Sequence, residues 1–166
     1  MSQDFYLGNP NLKKVGTEIQ FTKEQIQEYL KCKEDPVYFA MNYIKIISLD
    51  EGIVPFKMWD FQQELIESFH EHRFNIAKLP RQTGKSTTCV SYLLHYILFN
   101  DNVNVGILAN KLSTARDLLS RLQLAYEQLP LWIQQGIVVY NKGSMELENG
   151  SKILAASTSA SAVRGM

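Results

Sequence analysis

The sequence predicts an α/β fold, with a parallel sheet flanked by helices and a β-hairpin inserted near its end. Apolar segments typical of strands alternate with longer segments of helical periodicity along the 166 residues. A Gly-Lys-Ser triplet at residues 84–86 lies between a predicted strand and a predicted helix. An Asn-Gly pair at residues 149–150 separates two short apolar segments and favours a hairpin turn.

The central feature of the chain is the stretch at residues 79–88. Residues 74–79 before it are rich in apolar side chains and end at a proline, which predicts a buried strand. Residues 85–99 after it contain many apolar side chains and no Gly or Pro, which predicts a helix buried on most sides. Strand, Gly-Lys-Ser loop and helix is the layout of a phosphate-binding loop.

The chemistry of such a loop explains the residue types. Backbone N–H groups and the helix dipole at the start of a helix favour an anion. Lys85 would place a positive charge at β and γ phosphates, and the Ser86 hydroxyl would take one coordination position on Mg²⁺. The full loop pattern has Gly where this chain has Leu79. A solvated turn with a helix-capping serine therefore stays open as the alternative.

The composition excludes several classes of protein. The hydrophobic share of 45% is enough for a core, and 17 basic residues against 17 acidic ones give no general polyanion-binding signature. Cys32 and Cys89 have no metal-ligand spacing, and Cys89 is expected to be a small core residue. The polar N-terminus predicts no signal peptide, and no apolar run has membrane-spanning length, so we expect a soluble, intracellular protein.

Local signals place helices and strands before the loop. Residues 1–20 form an arm that we expect to be ordered only if it packs on something. Thr22 and Gln25 predict a capping box and a helix to about residue 32. Asp35 as cap and Pro36 in the first turn predict a second helix, followed by a strand end at 46–48 and a turn at 50–52.

The segment at 57–69 predicts an amphipathic helix with Phe61, Leu65, Ile66 and Phe69 on one stripe. Trp59 is expected to pack in the core. The amide of Gln62, just upstream of the loop, offers the donor and acceptor that match the edge of adenine. A solvated glutamine explains the residue equally well.

After the loop helix, strands and helices continue to alternate. The patterns predict a strand at 103–109 and a helix at 113–128 capped by Ser113. Three more strands follow, at 137–140, 145–147 and 152–156, and then a small, polar tail at 157–166.

Five stretches in order resemble the large terminase subunit of tailed bacteriophages, the T-even type most closely. They are Asp60-Phe61-Gln62, residues 81–87 with an arginine in a deviant Walker A motif, residues 106–111, residues 141–147 and residues 161–165. The resemblance covers nearly the whole chain and implies a helicase-like P-loop NTPase fold that is incomplete at its C-terminus. Residues 1–56 would be an arm and a helical lid-like segment, and 57–166 the N-terminal part of the ATPase domain.

The resemblance also implies a role for each matching residue. Lys85 would hold the β and γ phosphates of ATP, Ser86 would bind Mg²⁺, and Gln62 would read adenine. Arg81 would stabilise γ-phosphate charge within the subunit, and Arg164 would act as an arginine finger on a neighbouring subunit. The remaining loop residues would line the phosphates: Gln82, Thr83, Gly84 and Thr87. Arg164 also has a simpler interpretation as an ordinary loop arginine.

The implied activity is ATP hydrolysis that drives double-stranded DNA into a prohead, with endonuclease cleavage by a C-terminal domain. The family's Walker B carboxylates and nuclease domain have no counterpart in this sequence, so we expect little or no ATPase activity from the chain alone. The implied partners are DNA, the portal protein, the small terminase subunit and other large-subunit copies, in the cytoplasm of the infected bacterium and transiently at the portal. Alternatives are a superfamily 2 helicase or translocase fragment and a non-catalytic nucleotide-binding fragment.

Overall fold

The computed structural model describes residues 4–48 and 50–158, which form a mixed α/β structure. The helices are α1 (Lys23–Glu34), α2 (Pro36–Tyr43), α3 (Asp60–Glu71), α4 (Lys85–Phe99) and α5 (Leu112–Glu127), with a short 3₁₀ turn at Tyr6–Gly8. The strands are β1 (Lys45–Ser48), β2 (Gly52–Pro55), β3 (Asn104–Ala109), β4 (Ile137–Tyr140), β5 (Ser144–Leu147) and β6 (Lys152–Ser157). The predicted α/β class is confirmed.

The main sheet has four strands in the order β3-β6-β5-β4. β3 and β6 are parallel, with Asn104 opposite Lys152 and Ala109 opposite Ser157. β5 is antiparallel to both β6 and β4. The predicted parallel sheet is therefore a mixed one, because the hairpin contributes two of its four strands. β1 and β2 form a separate antiparallel hairpin, whose second strand the sequence analysis did not predict.

Local capping chemistry starts the first two helices as predicted. The Thr22 hydroxyl oxygen accepts the Gln25 N–H at 3.2 Å, and the Gln25 side-chain oxygen accepts the Thr22 N–H at 3.0 Å. The Asp35 carboxylate accepts the Tyr38 N–H at 2.8 Å at the start of α2. The cap predicted for α5 is wrong, because that helix begins at Leu112 and has no side-chain cap.

One hydrophobic core joins the N-terminal helices to the sheet. α5 packs on β3 and β6, and α4 packs on α5 and on α2 and α3. The core therefore takes residues from both sides of the boundary at residue 56 that the resemblance implies. Its fully buried side chains include Phe39, Ile66, Leu94, Ile97, Leu119, Tyr126, Met145 and Ile153.

The N-terminal arm is ordered because it packs on the β4 end of the sheet. Leu12 is 3% exposed and belongs to the core. The Ile137 N–H donates to the Lys13 carbonyl at 2.9 Å, and Lys14 forms a parallel bridge with Ile137. The side chain of Gln134 bonds both the Lys13 N–H and the Asn11 carbonyl at 3.0 Å.

The strand predicted at residues 74–79 is wrong. Phe74 is 83% exposed and Ile76 is 99% exposed. A β-strand requires backbone hydrogen bonds to an adjacent strand. In the described part of the chain no backbone–backbone hydrogen bond involves residues 74–79. Within the described residues β3 pairs on one side only, with β6, so its other edge is open and residues 74–79 do not pair with it.

Candidate functional site

The Gly-Lys-Ser triplet lies at the start of α4, as the motif requires. Gly84 is the N-cap residue with a φ of +77°, and Gln82 also has a positive φ, +63°. No side chain caps the helix, and within residues 4–48 and 50–158 the N–H groups of Lys85, Ser86 and Thr87 have no acceptor. Free donors at the positive end of a helix dipole form a site for an anion.

The Lys85 ammonium lies on the loop that precedes it. It donates to the carbonyl oxygens of Leu79 at 3.2 Å and Pro80 at 2.5 Å. Among the described residues neither Lys85 nor Arg81 forms an ion pair with a carboxylate. The charge of Lys85 is therefore held by two neutral carbonyl oxygens, which a phosphate would replace favourably.

Gln62 ties the start of α3 to this loop. Its side-chain oxygen accepts the Trp59 N–H at 3.0 Å, and its Nε2 donates to the Thr83 carbonyl at 3.1 Å. The residue is only 4% exposed. A Cβ at Gly84 would lie 2.5 Å from Nε2, so any larger residue would push the glutamine away. Gln62 is thus not solvated, and its amide keeps a second N–H and a second oxygen lone pair beyond these two bonds.

An aromatic cleft of about 390 Å³ adjoins the loop. Its lining residues are Ile46, Phe56, Lys57, Trp59, Phe61, Gln62, Gln82, Thr83, Gly84 and Thr87. Trp59 is 73% exposed, so its expected place in the core is wrong. The physical reason is that α3 begins at Asp60, which leaves Trp59 in extended backbone (φ −76°, ψ 157°) outside the helical periodicity.

A second cavity, of about 250 Å³, also reaches the start of α4, where Lys85 and Ser86 line it. Ala77, Ser86, Cys89 and Ile107 are among its lining residues. Cys89 is half-buried rather than fully buried, and burial raises the pKa of its thiol, so the thiol stays protonated at neutral pH. No carboxylate of the described residues lines this cavity or the aromatic cleft.

Ser86 fits a Mg²⁺ ion that arrives bound to a nucleotide better than one held by the protein alone. Ser86 is exposed, and in the part of the chain described its hydroxyl has no hydrogen-bond partner, so it is free to coordinate. Those same residues contain no group of three or more His, Cys, Asp or Glu side chains placed to hold a metal ion. Arg164 lies outside the described residues.

Sequence reasoning missed the tether made by Gln62. A signal was present, since a glutamine three residues after a helix N-cap is half of a capping box. Trp59 at the N-cap lacks the usual hydroxyl, which hid the pattern. The link from Gln62 to Thr83 spans 21 residues and left no trace in the local sequence.

A comparison of the chain with protein-family models finds no match. None of the helices in the described ranges is long and apolar enough to cross a membrane.

Proposed function

We propose that this chain binds Mg·ATP at the loop of residues 79–88. The proposed context is the large terminase subunit of a tailed bacteriophage. There, ATP hydrolysis would drive double-stranded DNA into a prohead, and a nuclease domain would cut it. The observation that carries the proposal is the set of free N–H groups at the start of α4, with Lys85 beside them and the aromatic cleft adjoining. The parallel β3–β6 pair, with α5 packed on it, agrees with a P-loop NTPase fold.

Each loop residue has a defined part in that binding. The Lys85 ammonium exchanges the carbonyls of Leu79 and Pro80 for the β and γ phosphate oxygens. Arg81, exposed and without an ion-pair partner in the described ranges, adds positive charge at the γ phosphate. Ser86 would hold Mg²⁺, which neutralises charge on the phosphate oxygens when it is bound with the nucleotide.

A second candidate, a non-catalytic nucleotide-binding part of a larger motor, is favoured by one observation. Water attack on a γ phosphate is normally assisted by a residue that orients or deprotonates the water. No carboxylate of the described residues lines either cavity beside the loop. We therefore expect binding of Mg·ATP with little turnover by this chain alone. DNA, the portal protein, the small terminase subunit and other copies are the proposed partners of the whole motor.

The test is a titration of the purified chain with Mg·ATP, followed by a phosphate-release assay. Binding that is lost in Lys85→Ala, with turnover only after a downstream terminase segment is added, supports the proposal. Lys142→Ala is the matched control, because Lys142 is exposed and distant in sequence from the loop. Absence of binding in the wild-type chain would refute the nucleotide site. Fast turnover by the chain alone would refute the non-catalytic candidate.

A further inference from the structure

We propose that the open edge of the β1–β2 hairpin is a docking site for an extended peptide segment of a partner protein, in which apolar residues alternate with acidic ones. The segment adds a strand to β1 and lies in a groove between β1 and the helices α4 and α5, which we call the β1 groove. This inference is independent of the proposed nucleotide site.

The β1 groove is a cavity of about 300 Å³. One wall is β1 with the residue before it, since the four consecutive residues 44–47 line the cavity. Side chains alternate between the two faces of a strand, so a cavity that touches four residues in a row lies along the edge of the strand. The other wall is one stripe of each helix, with Thr87, Val90 and Ser91 on α4 and Arg121, Leu124 and Ala125 on α5.

The edge of β1 that faces the groove has unpaired main-chain groups. The Phe56 N–H donates to the Ile44 carbonyl at 2.9 Å, and Lys45 lies opposite Pro55, which has no N–H. Opposite residues of an antiparallel pair alternate between hydrogen-bonded and non-bonded positions, so the N–H and carbonyl groups of Lys45 and Ile47 point away from β2.

These main-chain groups are free to bond an added strand. In the described part of the chain β2 is the only strand that pairs with β1, and no backbone–backbone hydrogen bond from outside the hairpin reaches Lys45 or Ile47. An open strand edge of this kind is a template for a further strand, and main-chain hydrogen bonds then supply the affinity.

The charges around the groove favour an acidic partner. Lys45 and Arg121 are both exposed and both line the groove. Among the described residues neither forms an ion pair, and no carboxylate lines the groove. Like charges that face each other destabilise a strand pair, so a basic segment is disfavoured, and so is a second copy of β1, which brings its own Lys45.

The floor of the groove is apolar, which determines the pattern of the docked segment. Ile44, Val90 and Ala125 are buried, and Ile46, two residues after Ile44, belongs to the same face of the hairpin. In an added strand every second side chain faces this floor, and the others face outward on the side of Lys45. The fitting segment therefore has apolar residues at the inward positions and acidic residues at the outward ones.

The experiment uses the full chain and a capped five-residue peptide that alternates valine with glutamate. Binding is measured by fluorescence anisotropy of the labelled peptide. One control peptide has lysine in place of glutamate. Two more carry N-methyl groups on the amides of one strand edge or of the other, since successive N–H groups of a strand point to opposite edges.

The protein variants separate the main chain from the charge. Ile47→Pro removes an outward N–H and leaves the bonds to β2 in place, whereas Ile47→Thr keeps that N–H. Circular dichroism and thermal unfolding show whether both variants fold. Lys45→Glu reverses a charge at the groove, and Lys142→Glu is the matched control, because Lys142 is exposed and does not line the groove.

The acidic peptide should bind with a Kd between about 10 μM and 1 mM, and the lysine peptide about ten-fold more weakly. N-methylation should weaken binding at one edge of the peptide and not at the other. Ile47→Pro should weaken binding about ten-fold and Ile47→Thr less than about three-fold. Lys45→Glu should weaken the acidic peptide about five-fold and strengthen the lysine peptide, and Lys142→Glu should change neither.

Hydrogen exchange followed by NMR tests the geometry directly. The amide protons of Lys45 and Ile47 should exchange fast in the free chain and slowly with the acidic peptide bound. Peptide binding without this protection would overturn strand addition, and equal affinities for the acidic and lysine peptides would overturn the charge selection.

Two further results would refute the docking site. One is no binding of the acidic peptide at several millimolar. The other is dimerisation of the wild-type chain in sedimentation that Ile47→Pro abolishes, since it would assign this edge to a second copy.

Discussion

The two outer strands of the four-stranded sheet, β4 and β3, differ in what lies beside them. At the β4 end the N-terminal arm covers the outer strand, with a bridge from Lys14 to Ile137 and a buried Leu12. At the β3 end, where Ala77 and Ile107 line one cavity, residues 74–79 have no backbone–backbone hydrogen bond among the described residues, and Phe74 and Ile76 are exposed. The arm is an irregular segment that became ordered, whereas residues 74–79 have strand-like composition and form no strand.

The difference teaches that apolar composition does not decide which segment is ordered. Residues 74–79 contain Phe74 and Ile76, but both side chains remain in water. The arm is held by the buried Leu12 and also by polar groups, since Glu148 accepts the N–H groups of Gly16 at 3.1 Å and Gly136 at 2.7 Å. The covered end has both main-chain hydrogen bonds and a buried apolar side chain, Leu12, whereas residues 74–79 have neither a backbone–backbone bond nor buried side chains at Phe74 and Ile76.

Truncating one apolar side chain at each end should give the largest contrast. Leu12→Ala removes a core side chain that is 3% exposed and should lower the free energy of unfolding by about 2–4 kcal/mol. Ile76→Ala acts on a side chain that is 99% exposed and should change it by less than about 0.5 kcal/mol. Urea denaturation measures both. Equal losses would mean that the open end is packed in solution.

Acid should weaken the core that the two ends share. Burial lowers the pKa of His95, on α4, from 6.5 to about 4, and nearby His70 adds to the effect, while bonding to the Cys32 carbonyl opposes it. Between pH 6.5 and pH 4 the His95 imidazole is therefore protonated in the unfolded chain and neutral in the folded chain. Stability should be full above pH 6.5, fall by up to about 3 kcal/mol towards pH 4 and level off below it.

The measurement for His95 is urea denaturation at a series of pH values. His95→Phe should flatten the slope between pH 6.5 and pH 4. His72→Gln is the control, because His72 is exposed and the substitution should leave the slope unchanged. An unaltered slope in His95→Phe would assign the acid sensitivity to other groups.

A methyl group added at Gly136 should loosen the covered end. The new Cβ would lie 2.6 Å from a Glu148 carboxylate oxygen and 2.7 Å from the Cα of Val15, so the arm has to shift. We expect a loss of about 1–3 kcal/mol in the free energy of unfolding. Gly143→Ala is the matched control in the neighbouring turn, since its nearest atom is 3.6 Å away. Similar losses for both would exclude close packing as the cause.

Removing the charge of Glu148 should have the smallest effect and stay confined to the covered end. Burial would raise the pKa of this carboxyl, but the N–H groups of Gly136 and Gly16 and the Lys13 ammonium outweigh it and lower the pKa. Its contribution is therefore present above the ordinary carboxyl pKa of 4.5 and is lost as pH falls through the lowered value. Glu148→Gln should cost about 1–2 kcal/mol and speed hydrogen exchange at Gly16 and Gly136.

The same variant separates the two ends. Its affinity for Mg·ATP should equal that of the wild-type chain, because Glu148 contacts the arm and not the loop. A loss of nucleotide affinity would show that the two ends are coupled.

The sequence predicted features that depend on contacts between residues close in the chain, and it missed those that depend on distant ones. The capping residues Thr22 and Asp35 act within three residues, so the starts of α1 and α2 were predictable. The order of the arm depends on Gln134, which lies 121 residues from Lys13, and no local pattern shows such a bond. The strand predicted at 74–79 was wrong for the same reason. A strand needs hydrogen bonds to an adjacent strand, and the segment's own sequence does not show whether one is available.

At the candidate site the sequence located the loop but not its supports. The start of α4 at Lys85 follows from the motif and the apolar helix pattern. The exposure of Trp59 was not predictable, because helical periodicity cannot show that α3 begins one residue after it. The bond from Gln62 to Thr83 was not predictable either, because its partners lie 21 residues apart.

The double engagement of Gln62 also has a dynamic consequence. One amide satisfies the first turn of α3 through the Trp59 N–H and the loop through the Thr83 carbonyl. Breaking either bond frees the side chain and weakens the other, so the start of the helix and the loop form one unit of local unfolding. Amide protons at both places should therefore exchange with solvent with the same opening free energy, and a ligand that steadies the loop should slow exchange in the first turn of α3 as well.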